Sequence, residues 1–332
     1  MLENIQRNKL IIINSVIIFF ISVFVNRGYS TTATSLGEDL QKLSDSLPNT
    51  QGFLQPQRIL LPLFGKIANI NLQILNLIFV FLFIFFFYKF ILEFSSNVFS
   101  FLLTSALSAT MFIQFTLTYG GYPDILSYIF LLLVFQNKEK KIIPYVLFFL
   151  ALLTKETVIF TIPFFLSLKE IKNGKIIISF FVYLPLYFYL SNGIYSPNYF
   201  VDLIRIDFLY FFKQSSENIL IGYFSSIKFL WLYILINILL YKDKILIPFL
   251  FLNLGIFTQF FLGGDSTRFV SFIFLIFLII AENMNKEKIN YLKYLLAFVL
   301  LLNAFTPKYY VYAYGQLTIP NESRLHFIDF GR

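Results

Sequence analysis

The residues with chemistry to offer are few, and they sit at the ends of apolar runs. Lys155 and Glu156 stand side by side in LLTKETVIFT (152–161), inside a run that is otherwise apolar from Ile142 to Leu168. Asp124 closes GGYPD (120–124), Asp265 and Arg268 belong to GGDSTR (263–268), and Arg58 opens QRILLPLF (57–64). Glu38, Asp39 and Asp45 lie upstream, between the first and second apolar runs. Carboxylates of this kind can take a proton from a reacting hydroxyl. Arginine and lysine stabilise a developing negative charge, arginine through a two-pronged fork suited to phosphate. The same residues also have plain structural uses. Lys155 and Glu156 can neutralise each other, Asp265 and Arg268 at i and i+3 can pair locally, and Asp124 after Pro123 can simply start a helix.

The composition narrows the setting. The chain has 332 residues, 58% hydrophobic, 20% aromatic and 13% charged, against about 25% charged in an ordinary soluble domain. Apolar runs recur from end to end, which predicts an all-α polytopic membrane protein. There is no cysteine and a single histidine, His326. That leaves no thiolate chemistry and too few histidines for a zinc centre or a Ser-His-Asp triad. The net charge of +8 sits largely in short lysine-rich loops, as in cytoplasmic loops of membrane proteins, and does not point to nucleic acid.

About eleven transmembrane or partly spanning helices are expected, near 10–25, 70–90, 97–118, 122–135, 142–154, 156–168, 176–190, 226–241, 245–262, 269–281 and 289–305. Residues 1–305 form the helical domain, with outer loops 26–69 and 191–225. Residues 306–332 form an outer-face tail. The short loops NKEKK (137–141), KEIKNGK (169–175), YKDK (241–244) and NKEK (285–288) are placed in the cytoplasm with the N-terminus. The acid- and arginine-bearing loops are placed outside. This alternation requires 142–168 to be a hairpin. As one helix its 27 residues would rise about 40 Å, against a hydrocarbon core of about 30 Å, and would hold both charges near mid-depth. As a hairpin it makes two short legs whose turn, Thr154-Lys155-Glu156-Thr157, lies in an outward-facing recess. The segment 198–213 reads as an amphipathic helix in the outer interface or a packed outer-loop helix.

QRILLPLF, YPDILSYIFLLL, LLTKETVIFTIPFFL and GGDSTRFVSFIF, in that order, resemble the integral-membrane glycosyltransferases of the GT-C fold class, in particular their uncharacterised bacterial members. The resemblance covers about residues 10–280. It implies a polyprenyl-phosphate-type lipid-linked sugar donor, an active site on the outer face of the bacterial inner membrane, and a catalytic acid in the first outer loop. Here that acid would be Glu38 or Asp39. It stands twelve residues beyond Asn26 at the end of the first run, where the family commonly has it much closer. Arg58, Lys155 and Arg268 would hold the donor phosphate. Asp124, Glu156 and Asp265 would orient those cations or bind a divalent cation (Mg or Mn). The acceptor is not specified. A transporter or flippase for an anionic or lipid-linked substrate uses the same kind of recess, and a non-catalytic scaffold is the third reading.

Overall fold

The computed structural model describes residues 2–26, 36–50, 53, 55, 57–171, 174–190, 216–260, 268, 270–284, 286–306, 310–312 and 316–318. Asp265, the segment 198–213, His326 and most of the tail lie outside them. The described chain is helical: α1 (Leu2–Val25), α2 (Leu36–Ser46), α3 (Leu60–Ala68), α4 (Leu72–Phe94), α5 (Asn97–Ser108), α6 (Met111–Thr118), α7 (Asp124–Gln136) and α8 (Ile143–Thr154). A 3-10 turn (Glu156–Thr161) then leads to α9 (Ile162–Leu166) and α10 (Lys175–Leu190). After these come α11 (Ser216–Ile227), α12 (Leu230–Leu240), α13 (Lys242–Phe260), α14 (Phe274–Asn283) and α15 (Lys286–Phe305). Among the described residues the exception to helix is a short antiparallel ribbon, Tyr310–Tyr312 with Gln316–Thr318.

Among the described residues, Ile5–Val25 and Leu72–Phe94 are long and apolar enough to cross a membrane. Two bent pairs qualify if each is one span: α5 with α6, bent by 55°, and residues 220–240, bent by 84°. Six more apolar helices have only 10–17 residues. Length and composition therefore assign two to four spans, against the eleven expected.

Local sequence explains several helix ends. The Asn71 side chain accepts a hydrogen bond from the Gln73 amide and starts α4, and Ser96 does the same for α5 through Phe99, as N-caps do. Asn69 ends α3 in the left-handed region at φ 54°, a conformation asparagine tolerates. At Lys155 the chain breaks without Gly or Pro. Lys155 leaves α8 in an extended conformation (φ −157°, ψ 117°).

At that break the chain turns back. The rings of Phe148 and Phe165 are 5.8 Å apart, whereas a continuous helix would separate those residues by about 25 Å. Lys138 reaches both Glu170, at 3.6 Å, and Glu282, at 2.6 Å. Thus the loop before α8, the loop after α9 and the end of α14 meet at one end of the bundle. Lys155 meets Asp124 at the opposite end. The 142–168 run is a hairpin with its charges at the tip. Its return leg is held by close backbone approach: a Cβ on Gly255 of α13 would lie 1.9 Å from the Phe160 carbonyl oxygen.

Between the two ends lies one large core built on aromatics. Phe83, Phe87, Phe112, Tyr128 and Phe274 are all buried and in ring contact. Such offset and edge contacts contribute about 0.5–1.5 kcal/mol each beyond area burial.

Candidate functional site

Asp124 is the hub of the charged end. It is the first residue of α7, follows Pro123, and is fully buried. A helix N-terminus favours a carboxylate there. Lys155 donates to its Oδ1. Arg268 donates from Nε to Oδ1 at 3.1 Å and from Nη2 to Oδ2 at 2.8 Å. Beside this triad, Arg58 forms a fork with Glu156, with Nε donating to Oε2 at 2.8 Å and Nη2 donating to Oε1. The two groups are within Coulombic reach: Arg58 feels Arg268 and Asp124, and Lys155 feels Arg268 and Arg58. Among the described residues this cluster sets three cations against two carboxylates.

Lys155 and Glu156 therefore take their ion pairs elsewhere rather than with each other. Each turns to a residue distant in sequence, Lys155 to one 31 positions away and Glu156 to one 98 away. That pull explains a helix break with no breaker residue. The Lys155 side chain is 1% exposed and that of Glu156 is 29% exposed, so the cluster reaches the surface on the Glu156 side.

Aromatic rings wall the cations. The Arg268 guanidinium lies over Phe115 at 4.8 Å and Tyr122 at 5.0 Å, and the Lys155 ammonium lies 5.8 Å from Phe272. The negative faces of the rings partly replace lost hydration.

Glu38 and Asp39 occupy the first turn of α2. Their helix is fixed to the GGYPD loop by a glycine contact. A Cβ at Gly37 would lie 2.0 Å from the Gly120 carbonyl oxygen and 3.2 Å from the Gly121 Cα. Gly121 has φ +82°, a left-handed conformation that glycine takes without strain. The loop that ends in Asp124 thus carries the turn holding Glu38 and Asp39. Glu38 is exposed. Asp39 lies 4.0 Å from Lys42. No ion pair joins either acid to Arg58, Lys155 or Arg268 among the described residues. Asp45 accepts from Gln41 and stands apart from the cluster.

Several buried polar atoms at this end have no hydrogen-bond partner among the described residues. They include Gln57 Oε1 next to Arg58, Thr157 Oγ1 next to Glu156, and Tyr183 OH on α10, within Coulombic reach of Glu156 and Arg58. Both amide atoms of Gln73 are also unpartnered, and a Cβ on Gly120 would lie 2.6 Å from that amide. Leaving such groups buried and unpaired costs about 1–3 kcal/mol each. In the sequence such residues stand as isolated polar positions within apolar runs. Gln114, Thr116 and Thr118 in MFIQFTLT are the clearest case, and they too have unpartnered oxygens.

A divalent cation does not fit the described residues. Both oxygens of Asp124 and both of Glu156 already accept from cations. Among the described residues no three His, Cys, Asp or Glu side chains come together. No family model, curated protein or solved structure matches the chain.

Proposed function

We propose that the chain is an integral-membrane glycosyltransferase that moves a sugar from a polyprenyl-phosphate-type lipid donor to an acceptor. In this reading it is a GT-C-like bundle of about eleven spanning and partly spanning helices in a bacterial inner membrane. Its N-terminus is cytoplasmic and the Asp124 end opens outward as a recess. The observation that carries the reading is the convergence of Arg58, Lys155 and Arg268 on one buried cluster with two carboxylates. The excess of positive charge suits a phosphate, and the aromatic walls strengthen its field by excluding water.

The roles follow from position. Glu38 or Asp39, on the turn seated against the GGYPD loop, takes the proton of the acceptor hydroxyl. That oxygen bonds to the anomeric carbon of the donor, and the carbon–oxygen bond to phosphate breaks. The phosphate leaves with the electron pair, held by Arg268, Lys155 and Arg58. Asp124 and Glu156 keep the three cations in place. The neutral polar atoms of Gln57, Gln73 and Tyr183 suit sugar hydroxyls.

Removing one such cation from a transition state costs about 10²–10³ in rate. Arg268→Ala is therefore expected to lower sugar transfer in reconstituted vesicles by about that factor. Full activity in that variant would remove the phosphate role. A flippase is the second reading, favoured by the two broken helix pairs, since interrupted helices line substrate paths in transporters.

A further inference from the structure

The opposite end of the bundle holds a different feature. A groove of about 270 Å³ lies between α8 and α10, walled by Tyr145, Val146, Phe149, Ile178 and Val182 together with Lys175. The Ser179 hydroxyl in the groove donates to the Tyr145 carbonyl, so its polarity is spent on joining the two helices. Val146, Ile178 and Val182 remain 51%, 58% and 57% exposed. Lys175 is exposed, is the first residue of α10, and its ammonium lies 5.9 Å from the Tyr145 ring. No carboxylate lies within ion-pair distance of it among the described residues; Glu170 nearby is drawn to Lys138.

We propose that this groove binds one anionic phospholipid, with a fatty-acyl chain along its apolar walls and the headgroup phosphate on Lys175. The charge and the apolar surface are arranged in the order a lipid presents them. From Lys175 to Val182 the helix rises about 10 Å, which matches the upper part of an acyl chain below a headgroup. The N-terminal end of α10 adds the partial positive charge of a helix start beside Lys175. Lys140, Lys141 and Lys169, all exposed on the loops before α8 and after α9, make this end attractive to anionic headgroups. The proposal rests on the membrane-embedded part of the functional reading and is independent of glycosyl transfer.

The test is photo-crosslinking of the full chain in phosphatidylcholine vesicles. These carry a trace of phosphatidylglycerol or phosphatidylcholine with a diazirine on the acyl chain. Cross-links are expected at residues 145–149 and 178–182, several-fold stronger with phosphatidylglycerol. In Lys175→Ala that preference should vanish, while labelling of the exposed face of α1 stays the same. Lys175 is exposed, so this variant should fold. Equal labelling by both lipids, a preference that survives in Lys175→Ala, or cross-linking to a second copy of the chain would overturn the site. No lipid labelling on any helix would overturn the membrane reading as well, which separates the two failures.

Discussion

Asp124→Asn is expected to be the most destabilising single change at the charged end, by about 3–5 kcal/mol. Asp124 is fully buried and is the shared partner of Lys155 and Arg268. Asparagine keeps the volume but removes the charge, leaving a fully buried lysine ammonium without its counter-ion. Such an uncompensated charge costs far more than the intact pair contributes. The effect should be non-additive. In Asp124→Asn combined with Lys155→Met, the stranded ammonium is gone and part of the loss should return. Residues in one ion-pair network couple in this way. Thermal unfolding of the four proteins in detergent micelles gives the comparison. A double variant that loses the sum of the two single effects would mean that Asp124 and Lys155 do not act on each other as the geometry requires.

Gly37→Val should have the second large effect, and mainly on activity. Gly37 has backbone atoms of the GGYPD loop where a side chain would begin, with the Gly120 oxygen 2.0 Å from a Cβ. No flexible side chain is available to move aside. The first turn of α2 must shift, at a cost of about 1–3 kcal/mol. Glu38 and Asp39 move with it. A displacement of about 1 Å at a reacting group can lower a rate by 10². The Asp124 and Arg58 ion pairs do not involve α2, so the bundle should otherwise persist. Sugar transfer by Gly37→Val should therefore fall by about 10²-fold while the protein remains folded. Transfer at the full rate in a folded Gly37→Val protein would show that neither acid on that turn takes part.

The sequence was informative where physics is local. Apolar runs marked the helices, and two opposite charges inside the 142–168 run marked its turn. The charges of the first outer loop (Glu38, Asp39, Asp45 and Arg58), GGYPD, TKET and GGDSTR are expected on one outer face; the three acids of that loop make no ion pair with the cluster among the described residues, and Asp265 lies outside them. Arg58, Asp124, Lys155, Glu156 and Arg268 from those segments do meet. What could not be read was partner choice. Lys155 and Glu156 are neighbours in sequence, yet their partners are set by how α7, α8 and the Arg58 segment pack. The breaks between Ser108 and Met111 and at Lys228 were equally hidden, because neither has a Gly or Pro. The second is held by a non-local contact: the Lys228 ammonium donates to the carbonyls of Asn303 and Thr306 at the end of α15. Helices α2 and α3, within a stretch read as an outer loop, are short and amphipathic. The apolar residues of α2 are too few to form a run, the run of α3 (ILLPLF, 59–64) is too short to suggest a span, and their burial depends on α4 and on the GGYPD loop.

The most direct measurement follows the fate of the sugar. The wild-type protein is reconstituted in vesicles with a polyprenyl phosphate bearing a radiolabelled sugar, and label is tracked between the lipid, an added membrane-extract acceptor and water. A glycosyltransferase predicts that label leaves the polyprenyl lipid only when the protein is present, and that the freed polyprenyl phosphate accumulates. Label that stays on the lipid while the lipid crosses from one leaflet to the other would contradict this and establish the flippase reading.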